Sequence, residues 1–362
     1  MLSWLGKLFS ACWRPVQTRY ARMNKDTGDH ALMRYKDLVQ HACGAISMAV
    51  VQGNNVMEDE SQVEIGAAGT FIGIYDGHGG PEAAQYACNH LYNHLQGFAT
   101  SDNGGMSEDA MQRAFQATEE GFLAYVRRSS QDLMTVGACC LVGVIQGHLL
   151  YIANLGDSRA VLGSVSTVTG DIMATQLTAD DNANYEEVRE ELKAKHPDDE
   201  QIVSFKGGSW RVKGIIQVTK SIGDLYLKSP DVNGQILQGN FRLAEPLKRA
   251  VLSADPTVKA WNFQRHHKFC IFASDGLWEY LSNEDACKIV HNHPRSGIAR
   301  KLIRAALTAA AKRYKLRYED LKKVDKKFKR SYHDDITVIV VFIDHGKQES
   351  VQEVSFRGGI DH

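Results

Sequence analysis

The 362-residue sequence has no stretch approaching the ~20 consecutive apolar residues that a membrane-spanning helix needs. It has no C-x-x-C pair, and its seven cysteines are scattered apart from the adjacent Cys139 and Cys140. An odd count with that spacing argues against a disulfide framework and a zinc ribbon, and suits a reducing compartment, cytosol or nucleus. Net charge is nearly absent, −1 by formal count, so nothing global points to nucleic acid or an anionic surface as partner. No internal repeat is present. The histidines do not cluster at zinc spacing, and the adjacent His266 and His267 suit an exposed turn better than a chelate. The rest is ordinary for a globular protein, 43% hydrophobic and 23% charged. The length allows roughly two domains or one large β-rich catalytic domain, with a core that needs no disulfide.

The N-terminus lacks acid. Lys7, Arg14, Arg19, Arg22 and Lys25 precede the first acidic residue, Asp26, while Leu2, Leu5, Phe9 and Trp13 recur at helical spacing. The apolar run is too sparse for a secretory signal. Three readings of residues 1–25 stay open: a docking helix or loose tail, a segment in peripheral contact with an anionic membrane, or a transit peptide. A second basic run, Lys322–Arg330, reads as a solvated helix face, with a nuclear localisation signal as the weaker alternative.

From Gly44 to Asp344 short apolar runs alternate with Gly- and Asp-rich turns. Ile46–Gln52, Thr70–Tyr75, Leu141–Ile145, Leu149–Ala153, Ala160–Gly163, Phe269–Ala273 and Ile336–Ile343 read as strands, several so continuously apolar that both faces must be covered. Pro81–Gln96, Glu108–Arg128, Glu186–Lys195, Ser282–His291 and Ser296–Tyr314 read as helices. Ser282 and Asp285 make a loose capping box, since Asp is shorter than the usual Glu. Strands with inserted helix pairs predict an α+β layered domain, not a doubly wound parallel sheet.

The sharpest local feature is Phe71-Ile72-Gly73-Ile74-Tyr75-Asp76-Gly77-His78-Gly79-Gly80, a buried strand ending in Asp and turning on glycines into a helix. The glycines allow positive φ and a close backbone approach to an ion or phosphate, and an Asp at a strand end can be held as rigidly as a metal ligand must be. An ordinary Asp-Gly turn is the plain alternative. The arrangement recurs at Phe269–Gly276, where a second apolar strand runs into Ser274-Asp275-Gly276. Asp334 and Asp335 precede the strand Ile336–Ile343, and Glu58 and Asp59 follow Ile46–Gln52. These carboxylates are hard oxygen donors suited to Mg²⁺ or Mn²⁺ if the strand ends converge.

Glu58-Asp59, Asp76-Gly77-His78-Gly79, Gly156-Asp157-Ser158-Arg159, Ser221-Ile222-Gly223-Asp224, Ser274-Asp275-Gly276-Leu277-Trp278 and Asp334-Asp335-Ile336-Thr337 occur in this order. Together they resemble the motif series of the type-2C, or PPM, metal-dependent protein phosphatases. Tyr35-Lys36-Asp37-Leu38, Trp210–Gly214 and Asn292-His293-Pro294-Arg295 further resemble a plant subgroup often called clade D, whose members tend to begin with a short amphipathic segment.

The resemblance implies a central β-sandwich of two antiparallel sheets flanked by helix pairs. It divides the chain into a lead-in at residues 1–43, a catalytic domain at 44–344 and a tail at 345–362. It implies two Mg²⁺ or Mn²⁺ ions per subunit, with Asp76 bridging them. Asp275 and Asp334 would complete one ion, and Glu58 with the Gly77 carbonyl the other, Asp59 holding a metal-bound water. Asp157 and Glu279 match a weaker third position. A hydroxide between the ions would attack phosphorus, and His78 would protonate the departing Ser or Thr oxygen. The segment Asp180–Trp210 corresponds to a flap beside the active site. Expected partners are phosphorylated proteins, with the plasma-membrane proton pump and small auxin-induced inhibitors as subgroup candidates, and a monomer in cytoplasm or nucleus or at the plasma membrane. A nuclease is disfavoured by the absence of a basic stripe.

Two positions depart from the family pattern. Asn54 stands where the family often has an arginine for the substrate phosphate, which leaves that role to the metals or to another cation. Asp335 stands where Asn is common, and an added carboxylate there would tighten metal binding or repel substrate. These two residues are the support for a pseudophosphatase that binds phosphoproteins without turnover.

Overall fold

Apolar runs without alternation need cover on both faces, and the fold supplies it with four layers. The computed structural model describes residues 20–26, 30–101, 105–233, 241, 243, 245–346 and 352–359. The strands are β1 (Asn24–Lys25), β2 (Met33–His41), β3 (Gly44–Val51), β4 (Asp59–Gly66), β5 (Gly69–His78), β6 (Gly137–Gln146), β7 (Leu149–Leu155), β8 (Arg159–Val165), β9 (Ile172–Gln176), β10 (Val203–Lys206), β11 (Ser209–Val212), β12 (Ile222–Gly223), β13 (Thr257–Asn262), β14 (His267–Ala273), β15 (Ile336–Phe342) and β16 (Val354–Gly358). The helices are α1 (Glu82–Ser101), α2 (Glu108–Arg128), α3 (Glu186–Lys195), α4 (Leu225–Lys228), α5 (Pro230–Asn233), α6 (Asp275–Trp278), α7 (Asn283–Asn292), α8 (Ile298–Arg313), α9 (Tyr318–Lys323) and α10 (Lys326–Lys329).

One antiparallel sheet runs β1-β2-β3-β15-β14-β8-β9 and the other β13-β7-β6-β5-β4-β16, with β12 added against β6. On β15, Ile339 and Val341 enter the core between the sheets, while Ile336, Val338, Val340 and Phe342 pack under α7 and α8. On β5, Ile72 and Ile74 face the inter-sheet core, while Phe71 and Tyr75 meet α1 and α2. Side chains on a strand alternate faces, so a strand between two apolar layers loses its polar positions. The α+β sandwich expected from the sequence is the fold observed.

Helices α2 and α3 begin and end where the periodicity places them. The Ser282 hydroxyl accepts from the Asp285 N–H at 3.1 Å, which is the serine half of the loose capping box, and α7 starts one residue later than expected. Helix α8 starts at Ile298 because the Gly297 N–H is held by the Asp37 carboxylate at 2.6 Å.

The expected domain bounds of 44–344 are too narrow. β2 pairs with β3, and β16 pairs with β4 along its whole length. From Tyr20 onward the chain already lies against the sheet: the Ala21 N–H donates to Ser355 O at 2.7 Å, and the Arg357 guanidinium covers the Tyr20 ring at 4.2 Å. Residues 1–19, which hold most of the expected amphipathic segment, lie outside the described residues. No described helix is long and apolar enough to cross a membrane. All six described cysteines are free and buried.

The basic run is also corrected. It forms two short helices, α9 and α10, and is not one solvated face. Lys329 is 3% exposed and its ammonium donates to the carbonyls of Leu321 and Lys322, the last turn of α9. A cation at a helix C-terminus satisfies carbonyls that have no partner within the helix.

The segment expected to form a flap packs against the residues that follow it. Leu192 of α3, Ile202, Val203 of β10 and Val212 of β11 pack on Tyr226 and Leu227 of α4.

Candidate metal centre

The carboxylates arrive at one end of the sandwich from both sheets. Asp59 opens β4 and faces Asp76, near the end of β5, in antiparallel register. Asp157 lies in the turn between β7 and β8, Asp275 begins α6 directly after β14, and Asp334 with Asp335 precede β15. Carboxylate oxygens of Asp76, Asp157 and Asp275 lie within 4.8 Å of one another. The Asp275 N–H approaches Asp76 Oδ2 at 3.4 Å.

Burial holds Asp76 well above the usual carboxylate range, and the charges of Asp275, Asp59, Asp334 and Asp157 push it further. Asp275 is raised by burial and then by Asp157, Asp334, Glu279 and Asp59. Glu58 is pushed to about 7 by burial with Asp334 and Asp335 nearby. Asp334 rises to about 6 through burial, opposed by the Arg330 guanidinium. Mutual repulsion of this kind is relieved by a cation among the carboxylates. Asp275 Oδ1 is buried without a hydrogen-bond partner, as an oxygen reserved for a metal would be. The donors are all oxygens, so the residues fit Mg²⁺ or Mn²⁺.

Asp157, assigned by resemblance to a weaker third position, belongs to the tightest trio. Its Oδ2 accepts from Asn182 Nδ2 at 2.7 Å, which holds it in place. Glu279, its expected companion, follows α6 with an exposed side chain, and its charge reaches Asp275. Asp334 lies outside the trio. Its Oδ1 accepts from Asn54 Nδ2 at 2.7 Å and from the Asp335 N–H at 2.8 Å, and its Oδ2 lies 2.7 Å from Arg330. Asp59 is 2% exposed, and its Oδ2 accepts from Ser274 Oγ at 2.8 Å and Thr337 Oγ1 at 2.7 Å. Ser274 and Thr337 belong to the metal motifs, and nothing in their residue type alone marks them as supports.

Asp335 acts on the backbone. Its Oδ1 accepts from the Gly53 and Asn54 N–H groups at 2.7 and 2.9 Å, and its Oδ2 from the Glu58 N–H at 2.7 Å. It therefore folds the loop that presents Glu58. Its charge still acts on Glu58, Asp59 and Asp334, as expected of an added carboxylate beside the metals, while backbone donors hold its oxygens. Asn54, 9% exposed, bonds both Asp334 and Asp335. Asp335→Ala leaves three buried donors without an acceptor and is expected to cost about 3–5 kcal/mol, read as a lower urea midpoint of the metal-free protein.

The glycines divide the two expected uses: a methyl group at Gly77 would sit 2.6 Å from Glu58 O and 3.3 Å from Ala84 Cβ, a close approach, while Gly79 takes the left-handed turn with φ 74°. Next to it, His78 Nε2 lies 2.8 Å from Asp224 Oδ2, with the His78 side chain 28% exposed and Asp224 buried. The Ser221 hydroxyl donates to the same Asp224 oxygen at 2.6 Å. Burial alone would lower the His78 pKa, but the charge and hydrogen bond of Asp224, with Asp157 and Glu58, raise it overall. A side chain at Gly137 would collide with both His78 and Asp224, so the pair needs glycine there. Asp224 closes the motif Ser221-Ile222-Gly223-Asp224, and its φ of 51° in an irregular segment leaves no sequence pattern that points to His78.

The protein phosphatase 2C family model matches residues 47–314. Over 377 residues the chain is 51% identical to probable protein phosphatase 2C 43 of Oryza sativa subsp. japonica, covering all of this chain and 96% of that one. It is 52% identical over 383 residues to probable protein phosphatase 2C 42 of Arabidopsis thaliana, covering 99% of each. Among solved structures, the serine-threonine phosphatase 2C of Toxoplasma gondii superposes with a TM-score of 0.55 at 15% identity, over 86% of this chain and 99% of that one. A C. elegans sex determining protein superposes with a TM-score of 0.60 at 16% identity, over 85% of this chain and 65% of that one. At those identities the superpositions speak to the fold, while the family model and the close relatives speak to descent: the chain belongs to the protein phosphatase 2C family.

Proposed function

We propose that the protein hydrolyses phosphoserine and phosphothreonine in proteins, with Mg²⁺ or Mn²⁺ as cofactor. The observation that carries this reading is the convergence of Asp76, Asp157 and Asp275 from both sheets, with the His78–Asp224 pair beside them. Asp76, Asp275 and Asp334 would hold one cation, and Glu58 with the Gly77 carbonyl a second, with Asp76 shared. Asp157 and Glu279 would serve a third. When bound, the cations supply an activated water and offset the charge on the phosphoryl oxygens. Asp59, fixed by Ser274 and Thr337, orients water at the centre. His78, whose pKa the Asp224 charge raises against the effect of burial, would donate its proton to the departing serine or threonine oxygen.

Asn54 and Asp335, on which the pseudophosphatase reading rests, both make structural contacts within the site, which favours the reading with turnover. Phosphate release from a phosphothreonine peptide in Mn²⁺ tests the reading. Turnover that persists in EDTA after exhaustive dialysis would sink it.

Resemblance to the plant subgroup supports the plasma-membrane proton pump as a substrate, small auxin-induced proteins as inhibitors, and a monomer in cytoplasm or nucleus. Residues 1–25 would bring it to the membrane surface. A tagged truncation starting at Tyr20, which keeps β1 and β2 in the sheet, with unchanged location would contradict a targeting role.

A further inference from the structure

A phosphate monoester reaches this site as a dianion, and the site already gathers Glu58, Asp59, Asp76, Asp157, Asp275 and Asp334. The central pair of divalent cations does not cancel that many carboxylates, and a third at Asp157 would bring the sum only to neutrality, so drawing in a dianion calls for a protein cation facing outward. Arg159 is already committed. Its guanidinium bonds Asp180, Asn283 and Tyr185 and lies over the Trp278 ring at 5.2 Å.

Arg330 is placed differently. Its guanidinium touches Asp334 Oδ2 at 2.7 Å while its side chain remains 56% exposed. Its charge acts on Glu58, Glu279 and Asp334, and those of Asp275 and Asp76 act on it in turn. The backbone beneath it is anchored, because the neighbouring Lys329 is buried against the carbonyls of Leu321 and Lys322. A guanidinium carries five N–H donors in a planar fork. Among the described residues Asp334 is the one ion-pair partner recorded for Arg330, which leaves donors for a second oxyanion.

We propose that Arg330 binds the substrate phosphate, supplying the charge-assisted contact for which Asn54 is the wrong residue. Asn54 is turned inward onto Asp334 and Asp335, so it holds the centre together and leaves the phosphoryl oxygens to the cation on the other oxygen of Asp334. A cation held by Asp334 would compete with Arg330 for that carboxylate and leave more of the guanidinium fork to an incoming phosphate. The inference rests on the phosphatase reading and names the group within that site that meets the substrate.

The test compares wild type, Arg330→Gln and Arg330→Lys, each loaded with Mn²⁺. Calorimetry measures affinity for inorganic phosphate and, separately, for Mn²⁺; kinetics give kcat and KM on a phosphothreonine peptide. Arg330→Gln is expected to weaken phosphate binding by about tenfold to a hundredfold, to raise KM in step, and to leave Mn²⁺ affinity undiminished. Arg330→Lys keeps the charge without the fork and recovers part of the loss. Unchanged phosphate affinity in Arg330→Gln overturns the proposal. So does a parallel fall in Mn²⁺ affinity, which would make Arg330 a support for Asp334 alone. Wild-type protein that binds phosphate through Arg330 but releases none from the peptide would leave this inference standing and contradict the reaction instead.

Discussion

Asp76→Asn is expected to lower phosphopeptide turnover by at least about a thousandfold, on the order of 4 kcal/mol of transition-state stabilisation. The reason lies in placement. Asp76 sits near the end of β5, opposite Asp59 and within reach of Asp157 and Asp275, the place from which it would serve both proposed cations. The same substitution should raise the melting temperature of the metal-free protein. Asp76 is held above the usual carboxylate range by burial and by four carboxylate neighbours, and an amide removes that repulsion. Lost activity with a gain in metal-free stability separates damage to the site from damage to the fold. A variant that unfolds at lower temperature in EDTA would contradict this electrostatic account.

His78→Ala is expected to cost about a hundredfold to ten-thousandfold on phosphothreonine peptides, the usual contribution of a positioned general acid. The loss should be much smaller on p-nitrophenyl phosphate, whose leaving group departs without a proton. Asp224→Asn tests the tuning of that acid. In the wild type Asp224 raises the His78 pKa against the opposing effect of burial, so the imidazolium persists to higher pH than in an isolated histidine. With the charge removed, burial prevails and the pKa falls. The alkaline limb of the kcat profile should then move to lower pH, with activity nearest to wild type on the acid side. A limb that stays in place would assign the proton to another group. The buried geometry favours the assignment made here, since Ser221 and Asp224 fix His78 Nε2.

The parts of the molecule that could be read from sequence are those where one physical demand dominates. Strands β5, β14 and β15 lie between two apolar layers, so their sequences are nearly unbroken in apolar residues and the Asp that ends or precedes each one stands out. Strand β4 was missed because its polar residues are buried with partners: the Ser61 hydroxyl donates to Gly358 O at 3.1 Å, and Gln62 Nε2 to Glu64 Oε1 at 2.6 Å. Strand β2 was missed because a bulge between Lys36 and Val39, with Leu38 at φ 52°, breaks its alternation.

Inside the site, residue type showed which carboxylates gather but not which way they face. Asp334 and Asp335 are adjacent and chemically alike, yet one looks toward the centre and Arg330 while the other accepts from the backbone of the Gly53–Asp59 loop. Only the path of that loop decides between them. Arg330 was hidden for a different reason. A run of six basic residues reads as solvent-facing, and the break between α9 and α10 that turns its last member toward the metal centre leaves no periodic mark.

The central claim is that the converging carboxylates hold divalent cations and that these drive phosphoester hydrolysis. The most direct measurement titrates Mn²⁺ into metal-free protein, reading bound Mn²⁺ by electron paramagnetic resonance and phosphate release from a phosphothreonine peptide in the same samples. Turnover should begin only as the protein sites fill and should saturate with them, and Asp275→Asn should lose both together. Full turnover before any Mn²⁺ is bound, or saturated binding with no release of phosphate, would contradict the account.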